Sequence, residues 1–151
     1  MRTIDDLDRR VIEALQVNGR EPFRRIADQL GVAEGTVRTR YERLVADGVV
    51  QVTGVTNPLS LGFEAAAMIG VRTSGPPEAV ADVIGAWTEV CYVVVTAGRF
   101  DLLVEVVCTD ATHLLALTNR LRALDGVADT ETMTYLKLCK QLFDWGTRNE
   151  H

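Results

Sequence analysis

The chain has 151 residues, room for one large domain or two small ones. Apolar residues make up 47% and charged residues 25%, the mix of a soluble globular protein, and no run of about 18 apolar residues is present to span a membrane. The net charge of −5 argues at first against nucleic acid. That charge is unevenly spread, however. Residues 1–50 hold nine Arg and nine Asp or Glu, whereas residues 51–151 hold seven basic and twelve acidic residues. Six Arg against four acidic residues lie between Arg20 and Leu44, so a local basic face is possible on an acidic protein. The opening segment MRTIDDLDRR lacks the apolar core of a signal peptide, and the chain is expected in the cytoplasm.

The first helix is expected over roughly Asp5 to Gln16. Asp5 can cap it, Asp6 and Asp8 suit the positive end of its dipole, and Leu7, Val11, Ala14 and Leu15 make its inner face. Asn18-Gly19 ends it. In the second helix Phe23, Ile26, Ala27 and Leu30 repeat at steps of three and four, and Gly31 follows where a left-handed residue stops a helix at low steric cost. The third helix runs from about Glu34 to Ala46, with Val37, Tyr41 and Leu44 inward. Gly35, Arg38, Thr39, Glu42 and Arg43 then point mostly outward. Two helices joined by a tight turn, the second presenting hydroxyl and guanidinium groups, make a helix-turn-helix suited to a major groove. Arg38, Thr39 and Arg43 are the candidates for bases or phosphates. Thr36 and Arg40 are the candidates for the DNA backbone, with Arg24 or Arg25 adding phosphate contacts. A solvated helical hairpin that touches no nucleic acid is the alternative from pattern alone.

Asp47-Gly48 turns the chain into Val49 to Thr56, a β-branched stretch that reads as a strand before Asn57-Pro58 breaks it. Residues 1–49 are therefore expected to form the helix-turn-helix domain, residues 50–62 a linker strand and loop, and residues 63–151 a second domain. There Phe63 to Thr73 reads as a strand, Glu78 to Trp87 as a helix and Val90 to Ala97 as an apolar strand covered on both faces. Gly98-Arg99 reads as a hairpin turn and Phe100 to Cys108 as a strand. Asp110 caps a helix carrying Leu114, Leu117, Leu121 and Leu124, and Val127 to Lys140 closes the series as a long strand. The order β-α-β-β-α-β is the ferredoxin-like arrangement. Its sheet carries helices on one face. The other face needs cover, for which a second copy is the simplest candidate.

Cys91, Cys108 and Cys139 show no metal-ligand spacing and fall in or beside predicted strands, so buried reduced thiols are expected. His113, at the start of a helix, is expected to be solvated or to assist a cap. His151 ends the chain. Leu142, Phe143 and Trp145 can pack on the sheet or on a neighbour. No nucleophile-base or paired-carboxylate spacing stands out, and no metal site or cofactor is expected.

Several stretches, in order, carry a resemblance over residues 4–140. They are Ile4-Asp5-Asp6-Leu7-Asp8-Arg9-Arg10-Val11-Ile12, Asn18-Gly19-Arg20, and Ile26-Ala27 to Gly31-Val32. Val37, Arg40, Leu44, Gly48-Val49-Val50 and Leu61-Gly62 follow, then Ala97-Gly98-Arg99-Phe100-Asp101-Leu102-Leu103. The chain resembles the leucine-responsive regulatory protein/AsnC family of transcription factors. The resemblance implies an α+β protein, with a winged-type helix-turn-helix domain followed by a ferredoxin-like βαββαβ ligand-binding and oligomerisation domain. It implies double-stranded DNA and a small effector, typically an amino acid, as partners. It also implies a homodimer that can assemble into an octamer. The last stretch resembles the family's Gly-x-Tyr-Asp hairpin, so Gly98, Arg99, Phe100 and Asp101 are the implied effector residues. Asp101 would hold an ammonium group, and Arg99 or the amides of Gly98-Arg99 a carboxylate. A plain hairpin turn explains the same residues. Two positions depart from the family: Ala33 stands where a Ser usually caps the recognition helix, and Pro22 where Ser or Thr is commoner before the preceding helix. Two other functions stay open. One is an amino-acid sensor that has lost DNA binding. The other is a decarboxylase-like enzyme of the same architecture, which the scarcity of histidines opposes.

Overall fold

The computed structural model describes residues 3–141 and Thr147. They fall into two compact units, one holding residues up to Val55 together with Lys140, Gln141 and Thr147, the other spanning Thr56–Cys139. The expected packing of Leu142, Phe143 and Trp145, and the place of His151, lie outside the described residues.

The first unit is three helices: α1 (Asp6–Val17), α2 (Phe23–Leu30) and α3 (Glu34–Ala46). A capping box starts α1, in which Asp5 accepts the Asp8 N–H at 2.9 Å and Asp8 accepts the Asp5 N–H at 3.2 Å. Neither α2 nor α3 has a side-chain cap, because Pro22 and Ala33 occupy those places. Gly31, at φ 69°, ends α2, and the Val32 N–H donates back to the Ala27 carbonyl at 3.1 Å. Val11, Leu15, Ile26, Ala27, Val37 and Leu44 form the buried core, with Phe23, Leu30, Val32 and Tyr41 around it.

Residues 49–56, expected as a strand, are not one. Gly48 takes φ 69°, and the Val49 and Val50 amides donate to the Leu44 carbonyl at 2.9 and 3.2 Å, closing the end of α3. Val52 and Val55 are exposed. A β-branched composition needs a neighbouring strand to form a ladder, and among the described residues this segment pairs with none.

The second unit contains a short 3-10 turn (Pro58–Leu61), then β1 (Ala65–Thr73), α4 (Pro77–Gly85), β2 (Val90–Val95), β3 (Leu102–Cys108), α5 (Ala111–Arg122) and β4 (Val127–Thr134). The sheet order is β2-β3-β1-β4, with every neighbouring pair antiparallel. This is the expected ferredoxin-like topology. Ala65, Ala67, Ile69 and Val71 of β1 lie opposite Cys108, Val106, Val104 and Leu102 of β3, and both rows face Val80, Ile84, Leu114, Leu117 and Leu121 of the helices. The opposite sheet face presents Met68 across from Met133, with Leu103, Glu105, Val107, Tyr92 and Tyr135 around them. Tyr92, Met133 and Tyr135 are exposed there. The Tyr135 hydroxyl donates to Glu105 at 2.8 Å, and partial desolvation of the phenol together with that carboxylate pushes it above its ordinary range.

Three further expectations need correction. β2 is an edge strand with partly exposed residues along its length, not one covered on both faces. β4 stops at Thr134, opposite Ala67, where its pairing with β1 runs out, and does not reach Lys140. Only Cys108 is a buried thiol. Cys91 and Cys139 are exposed, the first because it falls on the edge strand where the β2–β3 register shifts, the second because it lies past the sheet.

Candidate functional site

The first constellation is the outer surface of α3. The buried stripe of Val37 and Leu44 fixes the helix rotation, and Phe23 packs on Tyr41 with ring centroids 5.0 Å apart. Gly35, Arg38, Thr39 and Glu42 are then left exposed on one face. Arg38 pairs with Glu34 one turn back at 3.1 Å, and its guanidinium lies 5.2 Å from the Phe23 ring centre. The Thr39 hydroxyl donates to the Gly35 carbonyl at 3.0 Å. Thr36 is half-buried in the first turn, and Arg24 and Arg25 are exposed on α2. Such a face offers Arg38 and Thr39 to a groove without breaking the core.

Arg40 and Arg43 are placed differently from Arg38. Both turn toward α1, where Asp8 is 1% exposed. One Asp8 oxygen accepts from Arg40 Nη1 at 3.1 Å and from Arg43 Nη2, while Arg40 Nη1 also donates to Asp5. Arg40 holds the Asp5 carboxyl below its ordinary range, and Asp5 in turn raises the Arg40 guanidinium. A buried carboxylate costs several kcal/mol unless it is paired, so these two arginines tie α3 to α1. Periodicity placed Arg43 outward and read Asp8 only as a helix-dipole residue. The pairing spans 35 residues of sequence, and the one available hint was an Asp at an inward-facing position of α1.

The second constellation is the hairpin between β2 and β3. The Thr96 N–H donates to the Asp101 carbonyl at 2.9 Å, and its hydroxyl to the Phe100 carbonyl at 2.6 Å. The Asp101 N–H donates to the Val71 carbonyl, and its carboxylate accepts the Thr73 N–H at 2.7 Å. One Asp101 oxygen is therefore spent on fixing the hairpin to β1. The Phe100 ring lies on Gly70, where an added Cβ would come within 2.5 Å of ring atoms. Arg99, exposed at the tip, stretches over Phe100 to Glu131 of β4 at 2.8 Å. Arg99, Phe100 and Asp101 thus form one structural group, joined to Gly70, Thr73 and Glu131, which spacing alone did not reveal, while Gly98 lies in the bend before them.

His113 sits in a third group. Its backbone N–H donates to the Asp110 cap at 2.8 Å, and its Nε2 lies 3.2 Å from Glu89. Arg120, 3.8 Å from the same carboxylate, stacks on Trp87 at 3.7 Å. The Glu89 carboxyl is held below its ordinary range by its own backbone amide and by His113. The group clamps α5 onto the start of β2.

Comparison with known proteins bears on both constellations. Residues 4–45 match the model of the AsnC-type helix-turn-helix domain, and residues 66–143 that of the Lrp/AsnC ligand binding domain. The chain is 33% identical over 140 residues to the HTH-type transcriptional regulator FL11 of Pyrococcus furiosus, covering 91% of this chain and 93% of that protein. It is 30% identical over 139 residues to the regulatory protein AsnC of Escherichia coli, covering 89% and 91%. The structure of Escherichia coli AsnC superimposes with a TM-score of 0.80 at 25% identity, over 94% of this chain and 98% of that one. A Neisseria meningitidis transcriptional regulator in complex with L-Met shares the fold, with a TM-score of 0.81 at 23% identity over 97% of each chain. With both domains matched in order and relatives aligned over nearly their whole length, the chain belongs to the Lrp/AsnC family of transcriptional regulators.

Proposed function

We propose that this regulator reads DNA with the exposed face of α3 and responds to an amino acid at the β2–β3 hairpin. The observation that carries the first half is the face itself. Arg38 and Thr39 stand clear of the core near the N-terminal half of α3, where a recognition helix makes its base contacts. Arg38 is the candidate for bidentate pairing with guanine, and Thr39 for a base edge or phosphate. Thr36 and Arg40 contact the backbone, and Arg43 chiefly holds the helix in place. Residues 1–49 carry this activity and residues 50–62 lead into the effector domain.

In the same reading, Arg99 takes the effector's carboxylate and Glu131, its present partner, takes the ammonium. Gly98 supplies the turn, Phe100 the floor, and Asp101 fixes the hairpin on β1. The protein works in the cytoplasm as a homodimer joined through the open sheet face, and dimers gather into an octamer. His113 and Glu89 are structural, and the chain is not an enzyme. None of the described helices is long and apolar enough to cross a membrane.

Two assays test the reading. Selection of genomic fragments on the immobilised protein enriches a discrete, partly palindromic motif if α3 reads sequence. Recovery of unselected fragments, or of none, refutes it. A melting-temperature screen against the common amino acids, repeated with Arg99→Ala, identifies the effector through a shift that the variant loses.

A further inference from the structure

The two acidic residues that meet Arg40 are not equivalent. Asp8 is 1% exposed and both its oxygens are used internally, one by Arg40 and Arg43, the other by the Asp5 N–H. It cannot leave. The Asp5 side chain is 51% exposed. Its two oxygens divide their work: Oδ1 caps α1 through the Asp8 N–H, and Oδ2 reaches across to Arg40. The Arg40 side chain itself keeps 26% of its surface open. The charges of Asp5 and Asp8 balance those of Arg40 and Arg43 across the junction of α1 and α3.

We infer that Arg40 forms a backbone-phosphate site at this junction, and that the Asp5 carboxylate occupies it in the free protein as a stand-in for a DNA phosphate. The inference rests on α3 being the DNA-reading helix. A guanidinium accepts carboxylate and phosphate in the same planar, charge-assisted geometry. An exposed ion pair contributes little in water, so exchanging one anion for the other costs little. The exchange keeps the α1 cap intact, because capping uses the other oxygen. Asp8 stays in place throughout and holds the arginine in position. Mutual stabilisation of the charges agrees with this pairing, since Arg40 is the main cause of the lowered Asp5 carboxyl and Asp5 of the raised guanidinium.

The test is Asp5→Asn. Asn caps a helix as well as Asp does, but it turns an amide donor toward Arg40 in place of the acceptor. Asp5→Ser, which also keeps a capping oxygen and no charge, serves as a second variant. Both are titrated by fluorescence anisotropy against a random-sequence duplex over a salt series. Arg40→Ala, Asp5→Asn/Arg40→Ala, and Asp6→Asn, an exposed neighbour with the same charge change, are titrated alongside. The inference predicts binding about threefold tighter or more for Asp5→Asn, with a log K against log salt slope steeper by up to about one, since no carboxylate is left to recapture a cation. The gain is absent in the Arg40→Ala background. A gain equal to that of Asp6→Asn, or one that persists without Arg40, overturns it. Failure of the parent reading shows separately, as genomic selection that yields no motif, or as Arg38→Ala binding any selected sequence like wild type.

Discussion

Arg43→Ala separates a role in the fold from a role in DNA contact. Arg43 is one of two cations on a carboxylate that is 1% exposed, and its own side chain is 29% exposed. Removing one partner of a buried pair costs about 3–5 kcal/mol when the other charge is stranded. Asp8 keeps Arg40 at 3.1 Å, so the loss falls toward about 2–3 kcal/mol. Against a total stability of about 5–15 kcal/mol that is a large fraction. It lowers the melting temperature of the helical unit by roughly 10 °C or more. Arg38→Ala removes an exposed pair with Glu34 and the guanidinium's contact with the Phe23 ring, and changes stability by about 1 kcal/mol or less. Urea unfolding followed by helical circular dichroism, with DNA titration at a temperature where both variants are folded, reads the two effects apart. Arg38→Ala loses specific binding at near wild-type stability, whereas Arg43→Ala loses stability first. An Arg43→Ala protein within about 0.5 kcal/mol of wild type would refute the buried-pair argument.

Gly70→Ala places a methyl into the Phe100 ring and costs about 1–3 kcal/mol, a penalty that Phe100→Ala relieves in a double-mutant cycle. Additive costs in chemical denaturation would contradict the contact. Ala33→Ser supplies the missing cap of α3 and stabilises the helical unit by about 0.5–2 kcal/mol, measured as a raised urea midpoint; no change would mean that the first turn is capped by other means. The Asp5, Asp110 and Asp129 carboxyls are all held below their ordinary range, by Arg40, the His113 amide and Arg72 respectively. Their folded values lie below the unfolded value of about 3.9, so their contribution is complete above that pH and is lost as pH falls through the folded values. Thermal melts are therefore expected to hold steady from neutrality to about pH 5 and to fall below about pH 4. Asp110→Asn, which keeps the cap on α5, blunts that fall, and an unblunted fall would assign it to other groups.

The helices of the first unit were legible because local chemistry marks their ends. Asp5 caps α1, Gly31 stops α2, and α3 runs over the expected Glu34 to Ala46. The inward residues Val37 and Leu44 followed from the 3.6-residue period, and the βαββαβ order from alternating apolar runs and Gly or Pro breaks. The misreadings share a cause. Whether Val49 to Thr56 becomes a strand, or β2 an edge, depends on which strand lies alongside, and periodicity along one segment carries no record of its neighbour. The partners of Arg43 and Arg99 are equally remote, in Asp8 and Glu131. A helical wheel can say that Arg43 leaves the main stripe, but not that a buried acid on α1 waits on the side where it emerges.

The central claim, that the face bearing Arg38 and Thr39 reads DNA sequence, is tested most directly by one gel-shift titration. Wild type and Arg38→Ala are titrated against the fragment upstream of the protein's own gene, or against a selected motif, at two salt concentrations with nonspecific competitor. Retardation of wild type that survives competitor, weakens with salt, and drops by about tenfold or more in Arg38→Ala at near wild-type stability is the predicted result. Equal retardation of the two proteins, with competitor removing both, would contradict the claim.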